Sequence, residues 1–176
     1  GGYASYGDSD EEYDGTDDRP VRKRKARDAK SSARRAAVNK AVYNTIDIDE
    51  ILSQVVKVEP TKIDKDDLSE NTLLDIYEDA ILFITKMDLQ GWFAFPVTDQ
   101  MAPNYSKIID RPMDLSTIRV KVQQYRCLEE LSDDIELMFN NCMDFNIEGV
   151  YYEGAQFMFE KWQMKKTVSS QLIEEL

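Results

Sequence analysis

The side chains that could do chemistry in this 176-residue chain are bounded first by what the sequence lacks. It contains no His, which removes the commonest general base and the commonest metal ligand. Cys127 and Cys142 match no metal-ligand or redox spacing, and two unpaired thiols fit a reducing compartment. No Gly-rich stretch has the spacing of a phosphate loop, and no Ser stands in a nucleophile elbow. Paired acids such as Asp133-Asp134 fall opposite the apolar stripe of a predicted helix and read as solvated charge. The residues therefore point away from an enzyme, and to no cofactor or metal. What they offer instead is neutral hydrogen bonding. Asn146, at the end of a predicted helix, carries an uncharged amide with two N–H donors, although Asn is also favoured where a helix merely ends. Tyr105, after Pro103-Asn104, has a hydroxyl on a large ring that either binds something or packs its loop down.

Charge constrains the partners. The net charge is −12, unevenly spread: residues 1–18 hold seven acids and no base, residues 19–40 ten bases and one acid, and residues 41–176 a balance of −14. The acidic part favours basic partners and repels bare nucleic acid. The cluster Arg22, Lys23, Arg24, Lys25 and Arg27 has the form of a nuclear-localisation signal or a weak DNA contact, and short basic runs are also common as solvated charge. No apolar run is long enough to span a bilayer and none stands near the start, so neither a membrane helix nor a secretory signal is read. The chain begins Gly-Gly rather than Met, which reads as a fragment or a cloning remnant.

The elements that must position Asn146 and Tyr105 follow from periodicity. Residues 1–40 read as a disordered tail, acidic then basic, whose Gly-, Ser- and Asp-rich start has too little apolar surface to offset ordering entropy. A frayed helix is conceivable over 29–44. Residues 41–68 read as a linker of uncertain structure, with an apolar stretch of unclear period from Val42 to Val58 that Pro60 breaks. From 69 to 176 the pattern is helical. Thr72 and Asp75 have capping-box character, and Leu73, Ile76, Tyr77, Ala80, Ile81, Phe83, Ile84 and Met87 recur at steps of three and four, giving a helix over 72–88. Residues 89–112, with Gly91, Pro96, Pro103 and Pro112, form a loop long enough to suggest function. Asp114 caps a short helix to about 123. A helix over 128–145 carries Leu128, Leu131, Ile135, Met138, Cys142 and Phe145. After a connection at 146–150, a last helix over 151–174 carries Tyr151, Ala155, Met158, Phe159, Trp162 and Val168. The fold class is all-α, a four-helix bundle.

The stretches GWFAFPVTDQMAPNYSKIIDRPMDLSTI (91–118) and NNCMDFN (140–146) together resemble the bromodomain family over roughly 70–175. The segment KMDLQGWFAFPVTD, the APNY that follows, and FNIEG are most similar to bromodomain subunits of SWI/SNF-type chromatin remodellers. The resemblance implies a left-handed bundle with its long loop between helices 1 and 2, a nuclear protein, and a reader of acetylated histone tails, H3 or H4, working with subunits of a chromatin-remodelling complex. A bromodomain fold kept only for protein docking is the alternative.

Residue by residue, the resemblance makes Asn146 the donor to the acetyl carbonyl and Tyr105 the holder of a bridging water. Phe93, Val97, Met101, Ala102, Cys142 and Phe145 become the apolar wall. The gatekeeper that sets pocket width is Tyr151, Val150 or Tyr152. Gly91-Trp92-Phe93 stands where the family has Trp-Pro-Phe, so Trp92 either supplies the shelf beside the pocket or is exposed. Acetylation removes the lysine charge, and a narrow apolar slot then discriminates because an ammonium driven into it loses its hydration. Burying roughly 100 Å² of stem at about 25 cal/mol per Å², with one or two hydrogen bonds of about 1 kcal/mol, gives a dissociation constant on the order of millimolar for the side chain alone.

Overall fold

The computed structural model describes residues 47–176. The tail expected over 1–40, its basic cluster and the frayed helix over 29–44 lie outside the described residues. Among the described residues there are six α-helices and no strand: α1 (Ile48–Val55), α2 (Thr72–Met87), α3 (Tyr105–Ile108), α4 (Leu115–Lys121), α5 (Leu128–Asn146) and α6 (Val150–Glu174). Short 3-10 turns sit at Lys65–Asp67 and, continuing α4, at Val122–Gln124. None of these helices is long and apolar enough to cross a membrane.

The bundle is α2, α4, α5 and α6, with α5 and α6 packed most extensively on each other. Each has a sequence reason to form where it does. Ile76, Tyr77, Ala80, Ile81, Phe83, Ile84 and Met87 of α2 are all buried, as the three- and four-residue steps require. Leu73, expected on that stripe, is 43 % exposed because it borders an open groove shared with Val122 and Tyr125. The N-cap is Asn71 rather than Thr72, and Asp75 reaches past the cap to accept from the backbone N (2.6 Å) and hydroxyl (2.8 Å) of Ser69. Asp114 caps α4, accepting from the backbone N of Ser116 at 2.9 Å and of Thr117 at 3.2 Å.

Two buried charges depart from the sequence reading. Asp133 is exposed, but Asp134 is 5 % exposed, paired with Lys121 and accepting from the Tyr125 hydroxyl at 2.7 Å. At 100° per residue Asp134 lies beside Ile135 and directly over the turn of Leu131, facing the end of α4 instead of solvent. On α6 the stripe runs on through Lys165, Ser169 and Leu172, whereas Val168 is only half-buried.

Residues 47–62 account for the buried lysines. Asp47 caps α1 by accepting from Asp49 N at 2.9 Å, and Ile51 and Val55 bury against α2 and α6. The extended chain that follows is clasped by α6: Lys161 Nζ donates to the carbonyls of Val56 (3.2 Å) and Val58 (3.0 Å), and Lys165 Nζ donates to that of Thr61 while pairing with Asp79. These backbone carbonyls supply acceptors for the two buried ammonium groups.

A candidate acyl-lysine pocket

The site is built on the end of α5 and closed by the loop joining α2 to α4. On α5, Met138, Cys142, Phe145 and Asn146 fall at steps of four, three and one, so all four share the face that looks at this loop. Asn146 is the last helical residue and is 8 % exposed. Its Nδ2 donates to the Cys142 carbonyl at 2.8 Å, one turn back, which fixes the carboxamide rotamer.

Immediately after Asn146 the chain reverses within three residues. Ile147 sits at φ +60°, ψ −39°, and Glu148 N donates to the Asn146 carbonyl at 2.6 Å, a tight turn of the kind β-branched residues avoid. Gly149 follows at φ +87°, ψ −172°, a region open essentially to glycine alone. This short connection decides which residue reaches the cavity: Val150 begins α6 and buries in the core, Tyr151 borders the cavity, and Tyr152 does not.

The loop is held from three sides. Asp88, buried at the end of α2, accepts from the backbone N of Trp92 and of Phe93, both at 2.8 Å. Burial pushes its carboxyl above the ordinary value, against the lowering effect of those backbone donors. Gly91 at φ +69° lets the chain turn back onto that carboxylate. The Phe93 carbonyl then accepts from Leu115 N at 2.8 Å and the Ala94 carbonyl from Ser116 N at 3.2 Å, tying the loop to the start of α4. Farther on, Asp99 accepts from Ser106 N at 2.8 Å and its hydroxyl at 2.6 Å, and Asn104 adopts φ +67° so that α3 turns Tyr105 inward. Asn141 Nδ2 donates to the Arg111 carbonyl at 2.7 Å and anchors the loop's far end to α5.

The result is a cavity of about 290 Å³. Asn146, Tyr105, Phe93, Val97, Met101, Ala102, Cys142, Phe145, Tyr151 and Trp92 all border it. Phe93 forms its floor, edge-on to Phe139 with ring centroids 5.0 Å apart, and the Tyr105 ring lies 5.1 Å from that of Phe145. Phe95 and Met101 stand at the mouth, 72 % and 70 % exposed. Sequence reasoning placed Met138 only in the core and Asp114 only as a helix cap, and did not single out Asp88, Phe95, Met113 or Asn141. Met138 was findable, because it lies one turn before Cys142 on the same face. Asp88 acts on backbone only four and five residues on, whereas the role of Asn141 depends on a backbone carbonyl 30 residues away that no local pattern encodes.

Asp114 is the one Asp, Glu, Lys or Arg in the lining. Burial pushes the Tyr105 phenol up to about 12 and the Cys142 thiol up to about 12, with the Asn146 amide acting weakly the other way on the thiol. The slot therefore presents a phenol, a thiol and a carboxamide, and its one carboxyl group, Asp114, is already engaged by the start of α4.

The fold and this site define a class: a left-handed four-helix bundle with a long loop between its first two helices, carrying an uncharged side-chain pocket at the loop end. Residues 71–156 match the family model described as Bromodomain, and this part of the chain belongs to the bromodomain family. The chain is 42% identical over 84 residues to bromodomain-containing protein 9 of Danio rerio, covering 46% of this chain and 13% of that protein. It is 33% identical over 115 residues to bromodomain-containing protein 7 of Homo sapiens, covering 64% of this chain and 17% of that protein. Among solved structures, the bromodomain from human BAZ1A aligns with a TM-score of 0.52 at 27% identity, over 55% of this chain and 94% of that one. The chain thus spans less than a fifth of these two relatives' length.

Proposed function

We propose that this protein reads acetylated lysine on histone tails, H3 or H4, within a nuclear chromatin-remodelling or transcription-regulating complex. The observation that carries the reading is the neutral cavity of about 290 Å³ with the Asn146 carboxamide set in its wall. In this reading Asn146 Nδ2 donates to the acetyl oxygen, and the Tyr105 hydroxyl holds a water that meets the same oxygen. Phe93, Val97, Met101, Ala102, Cys142 and Phe145 enclose the methyl group and stem, and Tyr151 sets the width of the mouth. An ammonium in the same slot would lose hydration with no uncommitted anion to meet it, since Asp114 is occupied by Ser116 and Thr117, and this is the basis of discrimination.

Electrostatics support a basic tail as the partner. The acids Asp144, Glu148 and Glu153 are exposed and flank Asn146 and Tyr151 in the chain, and the part from residue 41 onward has a balance of −14. Their contribution is to association rate and is screened by salt. The remodeller setting rests on the likeness of KMDLQGWFAFPVTD and FNIEG to remodeller bromodomains. The decisive experiment is calorimetric titration with a tetra-acetylated H4 tail peptide and its unmodified form, with Asn146→Ala as control. Equal binding of the two peptides, or an undiminished variant, would defeat the reading. The basic cluster Arg22, Lys23, Arg24, Lys25 and Arg27 adds a weak DNA contact in this proposal. Deleting residues 1–40 should then abolish a steeply salt-dependent affinity for duplex DNA, and an unchanged affinity would remove that part.

A further inference from the structure

Trp92 and Gly154 form a fitted pair that the pocket chemistry does not by itself require. The Trp92 indole packs on the Tyr151 ring with centroids 4.5 Å apart at 51°. Its far edge rests on α6 at Gly154, where a Cβ would lie 2.6 Å from Trp92 Cζ3 and 3.3 Å from Cη2. Gly154 is buried inside a 25-residue helix, a position where glycine is less favourable than alanine. Its helical geometry calls for no glycine, so the indole is what the missing side chain makes room for. Tyr151 and Gly154 are three apart on α6 and share a face, so one ring spans both the notch and the gatekeeper. At its other end Trp92 is held by its backbone N donating to Asp88 at 2.8 Å.

We propose that Trp92 is a positioning residue for the acyl-lysine site: lodged in the Gly154 notch, it braces Tyr151 against the cavity mouth and so sets the fit around the lysine stem. This rests on the acetyl-lysine reading. The brace links a loop residue to the last helix, and its loss removes the ring that packs on Tyr151. Gly154 matters only through Trp92, which makes the pair testable by a double-mutant cycle.

The test uses the full chain, the tetra-acetylated H4 tail peptide, and the variants Gly154→Ala, Trp92→Ala, Trp92→Phe and Trp92→Ala/Gly154→Ala. Gly154→Ala should lower the melting temperature of the parent but raise that of Trp92→Ala, since alanine is the better helix former once no indole is there to meet it. It should weaken peptide binding about three- to tenfold in the parent, the range an aromatic pair commands, and change nothing in Trp92→Ala. Trp92→Phe should retain most of the affinity. The chain has two tryptophans and Trp162 is fully buried, so a red shift of emission in ligand-free Gly154→Ala reports Trp92 leaving its seat. If Gly154→Ala leaves emission and affinity unchanged while the parent still prefers the acetylated peptide, the brace is overturned and the reader stands. If the parent shows no preference for the acetylated peptide, the reading fails and takes the brace's role with it, even where the emission shift confirms the seat.

Discussion

Replacing Asn146 by Asp changes one atom of the site from a donor to an acceptor without changing its shape. Nδ2 of Asn146 lies 2.8 Å from the Cys142 carbonyl oxygen, so a carboxylate there sets oxygen against oxygen, at the C-terminal end of α5 where the helix dipole also disfavours an anion. An acetyl carbonyl entering the slot loses its direct side-chain donor and keeps only the water held by Tyr105, a cost of about 1–3 kcal/mol, or roughly 5- to 150-fold in affinity. The unmodified ammonium, by contrast, gains a counter-charge. Asn146→Asp should therefore bind the tetra-acetylated H4 peptide at least about fivefold more weakly at pH 7.5 and narrow or invert the preference over the unmodified peptide. Burial, the facing carbonyl and the helix end all raise the new carboxyl above its unfolded value. A group whose folded pKa is raised binds its proton more tightly in the folded state, so the variant's stability deficit relative to the parent is largest at neutral pH and shrinks as pH falls toward the unfolded value. The protonated acid can again donate to the Cys142 carbonyl. Calorimetry with both peptides, together with melting of parent and variant at pH 7.5 and 5, measures all of this. Acetyl-peptide affinity within threefold of the parent, or a melting deficit that does not shrink on acidification, would refute the donor geometry.

The connection after Asn146 and the two thiols yield further expectations. Gly149→Ala places a methyl in open space, with nothing within 4 Å, so its cost is purely torsional: a loss of about 1–3 kcal/mol in chemical denaturation, where an unchanged midpoint would contradict the backbone assigned here. Ile147→Gly relieves the positive φ of a residue that is largely exposed and should cost less than about 1 kcal/mol or stabilise; a loss above 2 kcal/mol would show that the Ile147 side chain packs more tightly than its exposure indicates. Because the Cys142 thiol is pushed up to about 12 and Cys127 is exposed, iodoacetamide at pH 7.5 should label Cys127 alone in the native protein and both thiols in urea, read by peptide mass spectrometry. Labelling of Cys142 at a comparable native rate would mean that the pocket wall is not shielded.

The amino-acid sequence by itself determined the helices and the ends that matter for the site. Steps of three and four place α2, α5 and α6 to within a residue or two, Asp114 marks the start of α4, and Asn146 stands where the α5 stripe stops. These are local properties, set by neighbours within one or two turns, so a linear pattern carries them. The loop motif named Tyr105, Phe93 and Val97, but only as a likeness, since a loop has no period to read.

Tertiary structure alone decided what each face meets. Asp134 looks solvated in sequence and is buried because the end of α4 arrives with Lys121 and Tyr125. Lys161 and Lys165 sit on the buried face of α6 because the 56–61 segment presents them with carbonyls. Whether Tyr151, Val150 or Tyr152 reaches the cavity depends on a three-residue turn with two positive φ angles. The seat of Trp92 depends on a missing Cβ more than 60 residues away. Each outcome is a contact between segments distant along the chain, and its free energy arises from desolvation and shape fit at that meeting, quantities that no run of neighbouring residues contains.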